Sequence, residues 1–278
     1  MRKRDGTVVL ICTLLLAPGL AAAQQGTWER LGGDLDQAVG DIFHVWAAPF
    51  RLEGEDLPAL IALSEAVLLA GGLDNQIQEW VRTHPRALPV RALAPLRESH
   101  LLSKIGYSEV LVPLSAILYA GGLAFDSDEL RDAGLGCITS DLANTLSRHA
   151  LARLIGRLRP RYREGPYVIK PFAFGDWPMR SFPNGHGANI MACVSFWNNR
   201  FELGPAEPAL YGLAGAVALG RVLDEAHWAS DTVFGVAFGW TVGQLVARRY
   251  DGREADEPAA TPGAGAAPVV YLEWRVPF

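Results

Sequence analysis

"GRVLDEAHWASDTVFGVAFGWTVGQLVARRY", residues 220–250, carries glycines at 235, 239 and 243. A step of four puts all three on one helical face and leaves that face without side chains. Such a row lets a second helix backbone come close. The preceding apolar stretch repeats the device with Gly212, Ala216 and Gly220. Run backwards from Gly235, the same step reaches Asp231 and His227. Two polar residues are therefore expected on an inward face, where tight packing alone does not account for them.

Further apolar segments lie upstream, at roughly 57–73, 110–125, 140–158, 187–197 and 208–223, and 228–248 completes the set. Their lengths and 3.6-type spacing predict helices, with Gly71, Gly72, Gly121, Gly122, Pro160 and Pro205 as breaks. The expected fold is an all-α bundle of about six or more helices. Within the expected helices no uncharged run reaches about eighteen residues, the 57–73 segment carries Glu65, and the last helix carries Gln244. This favours a soluble or surface-associated bundle over a multi-span membrane protein.

The two ends read differently. "MRKRDGTVVLICTLLLAPGLAAAQQ" has a basic start, a short apolar run and small residues before Gln24, the pattern of a secretory signal cleaved after Ala23. Cys12 does not sit in a lipid-attachment sequence. Export to the periplasm or cell envelope is expected, with the helical domain over 24–250. Residues 251–278 read as an acidic, then Ala/Pro/Gly-rich connector followed by an alternating strand at 270–278. Outer-membrane barrels also end in such a strand, but one strand cannot close a barrel. An edge strand on the domain is preferred.

Loss of Arg2, Lys3, Arg4 and Asp5 with the signal takes the formal charge from −5 to −7, which argues against nucleic acid as a partner. Two cysteines remain, Cys137 and Cys193, and both fall near apolar helical stretches. Two buried thiols are expected in preference to a bridge, although an oxidising compartment permits one. Zinc-site spacings of Cys and His are absent.

Three polar clusters interrupt the apolar helices: "ARLIGRLRP" (152–160), "SFPNGHG" (181–187) and "GRVLDEAHWASD" (220–231). In the third, His227 and Asp231 share a helical face, so the carboxylate can accept from one ring nitrogen and leave the other free. Arg221 lies near enough to share an anion with His227. The structural alternative is ordinary surface pairing with Asp224 and Glu225. In the second cluster Asn184 caps a helix, Gly185 admits a ligand to the backbone, and the helix start offers amide N–H groups to an anion. His186 stands at its edge as a proton donor, or simply closes the turn. The first cluster supplies Arg157 and Arg159, whose forks suit phosphate oxygens but also suit a helix C-terminus. Together the clusters supply what phosphoryl transfer through a phosphohistidine requires: charge stabilisation, a nucleophile and a leaving-group acid.

The clusters, in this order and spacing, resemble the type 2 phosphatidic acid phosphatase superfamily, which also contains bacterial acid phosphatases and vanadium haloperoxidases. Its pattern runs KxxxxxxRP, PSGH, SRxxxxxHxxxD, and Ala152 to Asp231 spans the counterparts. The resemblance implies His227 as nucleophile, Asp231 orienting it, and His186 as acid. It places Arg159, Asn184, Gly185 and Arg221 at the phosphate. It further implies catalysis without a metal or other cofactor, vanadate acting only as a phosphate mimic, and a phosphorylated small molecule or lipid as substrate, the lipid being met at a membrane surface. Three positions depart from the pattern: Ala152 for lysine, Asn184 for serine and Gly220 for serine. Ala152 supplies no charge, and Arg148, one turn earlier, or the adjacent Arg153 is the expected substitute. A phosphate- or lipid-binding relative with weakened catalysis is the alternative, and a vanadate-dependent haloperoxidase a more distant one.

Overall fold

The computed structural model describes residues 28–97 and 101–256. The expected signal segment and C-terminal strand lie outside them. Among the described residues there are eight α-helices and no sheet. They are α1 (28–47), α2 (Leu57–Thr83), α3 (Leu88–Ala92), α4 (Ser108–Phe125), α5 (Asp128–Ile155), α6 (Gly185–Arg200), α7 (Ala206–Leu223) and α8 (Ala229–Asp256). The six expected helices are present, and four of the expected breaks are not breaks. Gly71 and Gly72 lie inside α2, and Gly121 and Gly122 inside α4. Gly122 serves contact instead, since a Cβ there would overlap the backbone of Arg131 on α5.

Local chemistry sets the helix ends. Ser127 caps α5 by accepting from Leu130 N at 3.3 Å, and Asp128 and Glu129 in the first turn complement the dipole. α5 stops at Ile155 because Gly156 turns left-handed at φ 61°. Arg157 to Pro160 therefore run outside the helix, against the expectation that α5 continues to Pro160. Asn184 caps α6 through Gly187 N at 3.2 Å, as expected.

α6 is the central element, buried along most of its length and packed between α5, α7 and α8. The α8 glycine row works as the spacing implies, but its partner is α6. A Cβ on Gly235, Gly239 or Gly243 would overlap the carbonyl oxygen of Asn184, Ala188 or Ala192, residues that also step by four. The α7 row is not its mate, because Gly212 meets nothing within 4 Å and Gly220 faces Leu96.

Cys137 on α5 and Cys193 on α6 form a disulfide, with Cα atoms 4.5 Å apart. This corrects the expectation of two thiols. The close approach of α5 and α6 brings together two buried cysteines that lie 56 residues apart in sequence.

The outer surface is unusually apolar. The stretches Gly54–Thr83 and Ser108–Phe125 are each long and apolar enough to cross a membrane, and little of either is buried. Leu57, Ile61, Leu68, Leu69 and Leu73 on α2, and Leu114, Ile117 and Phe125 on α4, are more than half exposed. This undercuts the preference for a soluble bundle, although exposed Glu65 shares the helical face of Ile61, Leu68 and Leu69.

Candidate active site

One end of the bundle holds a cavity of about 330 Å³ that brings the three polar clusters together. The end of α5 contributes Arg148, His149 and Ala152, the start of α6 contributes Gly185 and His186, and the end of α7 contributes Arg221. Loop residues Tyr107, Arg159, Trp177 and His227 complete the wall. The rings of His186 and His227 face this space with centroids 6.2 Å apart, inclined at 62°. Tyr107 meets His186 edge-on at 4.2 Å, and nothing in its sequence context marked it out.

His227 does not stack on Asp231 along a helix, because α8 begins two residues after it, at Ala229. Its Nδ1 hydrogen-bonds the carbonyl oxygen of Ser181. A carbonyl only accepts, so Nδ1 carries the proton and the neutral ring keeps its lone pair on Nε2. Asp231 instead accepts from Ser181 Oγ at 2.5 Å, Arg157 Nη1 at 2.5 Å and Trp228 N at 2.9 Å. The last bond is the return arm of a capping box, with Asp231 three residues into the helix start. That geometry directs the carboxylate back along the chain toward residue 181. Asp231 thus bears on His227 at one remove, through the residue whose carbonyl holds the ring. Asp74 of α2 closes the network, accepting from Arg157 Nη2 at 2.7 Å and Ser230 N at 2.9 Å. Arg157 is engaged by two carboxylates and is not a phosphate ligand.

Arg159 reaches the cavity from the segment after α5, its guanidinium 4.1 Å over the Trp177 ring. Arg221 comes from the last turn of α7, where it pairs with Asp224, and not from the helix that follows His227. Ala152 is buried in the wall and leaves the position expected for lysine without charge. Arg148, one turn earlier, lies across Gly185, where a Cβ would overlap its guanidinium. Glycine at 185 therefore makes room for Arg148. Arg148 Nη2 sits 3.1 Å from His149 Nε2, and its Nε has no hydrogen-bond partner among the described residues. Arg153 turns to the carbonyl of His149 at 2.8 Å and does not line the cavity. Asn184, expected at the phosphate, is the other correction. Its amide nitrogen donates to Ala218 O and Thr232 Oγ1, each at 3.0 Å, and its oxygen caps α6, so the side chain is spent on joining helices.

Charge and burial act together on the histidines. Burial, then Arg221, Arg148 and Arg159, push His186 down to about 3. His227 is lowered well below the ordinary histidine range, first by burial and then by Arg159 and His186. The cavity therefore holds two neutral imidazoles among arginines, an arrangement that suits an anion. An entering phosphate opposes the positive charge, though not the burial, and so raises both basicities.

A family model described as the PAP2 superfamily matches residues 133–254. The chain is similar to the lipid A 1-phosphatase of Porphyromonas gingivalis, 36% identical over 69 residues, which is 23% of this chain. The chain spans only 15% of that protein's length. A solved structure, the transmembrane PAP2 type phosphatidylglycerolphosphate phosphatase from Bacillus subtilis, aligns with 72% of this chain and 98% of its own, at 20% identity and a TM-score of 0.47. The matched residues 133–254, less than half of the chain, carry the motifs that converge on this cavity.

Proposed function

We propose that this protein is a phosphatase that hydrolyses phosphate monoesters or pyrophosphate ends, with phosphorylated lipids as its substrate class, through a phosphohistidine on His227. The observation that carries the reading is the single cavity shared by His186, His227, Arg148, Arg159 and Arg221. His227 Nε2 attacks phosphorus, the bond to the leaving oxygen breaks, and His186 gives that oxygen its proton. Water then attacks the phosphohistidine, the P–N bond breaks, His186 takes the proton of the attacking water, and inorganic phosphate leaves. The arginines hold the equatorial oxygens while charge builds on them. Substrate entry favours the protonated acid, because burial and then the arginines keep His186 unprotonated in the empty site and the phosphate charge opposes the arginine part.

The position of Ala152 supports a second reading, a relative that binds phosphate without turning it over. One assay separates the two. Purified protein is offered a chromogenic phosphate ester and lipid phosphates with chelator present, beside His227→Ala. The wild type is expected to hydrolyse at least one substrate and the variant none. Equal rates remove His227 as nucleophile, and phosphate or vanadate binding without hydrolysis in the wild type establishes the second reading.

A further inference from the structure

Between α5 and α6, residues 156–184 contain only two short 3-10 helices, Pro160–Tyr162 and Trp177–Met179, yet they are firmly held. Leu158 N donates to Val168 O at 3.0 Å, Lys170 N to Gly156 O at 2.6 Å, and Ala173 N to Arg153 O at 3.1 Å. Arg157 Nε adds a bond to Pro166 O at 2.8 Å, and Leu158, Ala173 and Met179 form a small core beneath. From this anchored base Tyr167, Ile169, Phe172, Phe174 and Trp177 point outward, each between 48% and 71% exposed. Phe172 is held at φ 61°, a conformation that side chains with a Cβ rarely adopt. Five large apolar side chains displayed to water on a fixed backbone mark a contact surface.

The occupant is indicated by where this surface sits against α2 and α4. Tyr167 OH donates to Gly71 O at 3.0 Å, two residues before Leu73 ends the apolar run of α2. Asp74, the next residue, already belongs to the polar network under His227. On α4 the order is reversed, for Glu109 lines the cavity and the exposed apolar face begins at Val110. Two helices thus place the cavity and the aromatic surface at the same end of their apolar faces. The α2 run from Leu57 to Leu73 measures about 25 Å at 1.5 Å per residue, close to the roughly 30 Å of a bilayer's hydrocarbon. With those faces in hydrocarbon, the aromatic surface stands at headgroup depth, where aromatic and basic side chains collect. Exposed Lys170 lies in the same surface. Trp177 belongs to both features: half exposed on the surface, it also lies under Arg159 in the cavity wall.

We propose that residues 167–177 form an interfacial platform that rests on the headgroup layer of a phospholipid bilayer and feeds membrane-resident phosphoesters sideways into the cavity. The feeding step rests on the phosphatase reading, and the lipid contact does not. To test the contact, the full chain with Cys12→Ser and Phe172→Cys is labelled at residue 172 with a polarity-sensitive fluorophore and reconstituted in phosphatidylcholine/phosphatidylglycerol vesicles. Quenching by nitroxides near the headgroup exceeding that by nitroxides deep in the acyl chains is expected. Quenching by aqueous iodide with none by either lipid overturns the contact. For the feeding step, Phe172→Ser/Phe174→Ser is expected to slow hydrolysis of phosphatidic acid in vesicles about tenfold, the loss of part of two aromatic burials. Its kcat/KM on a soluble chromogenic ester should stay within roughly twofold. An unchanged vesicle rate, or an equal loss on both substrates, overturns it. If the wild type hydrolyses neither substrate, the phosphatase reading and the feeding step fail together, and the quenching result still decides the lipid contact.

Discussion

Replacing Arg148 with alanine removes the cavity cation proposed to stand in for the missing lysine at position 152, at a site on α5 that is only partly buried. By the yardstick of one lost oxyanion donor, kcat should fall about 10²- to 10³-fold while the helical circular dichroism is retained. Wild-type turnover in Arg148→Ala would dismiss Arg148 from the chemistry. The histidines yield a second expectation at this scale. Both are held neutral in the folded protein, His186 at about 3, whereas histidine in an unfolded chain titrates near 6.5. Below 6.5 the unfolded state binds more protons, so stability should drop as pH falls from about 6.5 toward 3. Urea midpoints at pH 7 and pH 5 measure the drop. It should shrink in His186→Asn, which has no proton to gain, and shrink again when vanadate fills the wild-type cavity. A drop of equal size in all three would assign it to other groups. Residue identities made His186 and His227 candidates from the sequence, but the carbonyl that orients His227 was not legible. Ser181 O is a backbone atom, and no side-chain pattern announces where a carbonyl will point.

The α8 glycine row separates what periodicity conveys from what it omits. A step of four identifies a bare helical face, and Gly235, Gly239 and Gly243 do lie on one. It cannot name the helix that fills the space, which is α6 and not α7 with its similar row. Gly239→Ala should cost about 1–3 kcal/mol, because the added carbon has a backbone carbonyl in its way and two long helices must part to admit it. Gly212→Ala, on an exposed face of α7 with open space around it, should instead add up to about 1 kcal/mol through helix propensity. Thermal unfolding of the pair checks this, and equal effects would mean the row is not a contact. Helix boundaries show the same division. Asn184 as a cap was legible from its type and position, whereas the end of α5 at Gly156, which frees Arg157 and Arg159 from the helix, was hidden by a following arginine–proline pair that also suits a helix end.

Across the whole molecule, the disulfide ties the α5 and α6 arms of the bundle. Closing a loop of 56 residues should contribute about 4 kcal/mol in the chain-entropy account. A lower urea midpoint under reducing conditions and in Cys193→Ser measures it, and unchanged midpoints in both would show that the bridge adds nothing to stability. At this scale the apolar composition of α2 and α4 was visible in one dimension, but its exposure was not, since an apolar helix at the centre of a soluble protein has the same sequence signature. The sequence alone determined the helical class, the order of the three polar clusters and the residue types able to handle a phosphate, because these follow from local periodicity and side-chain chemistry. Only the tertiary structure decided that Arg157 is spent on Asp74 and Asp231, that Asn184 faces the helices and not the cavity, that Gly185 yields its space to Arg148, and that the aromatic segment stands at the cavity's edge. Each of these depends on contacts between residues distant in the chain, and local periodicity carries no information about which distant atoms will meet.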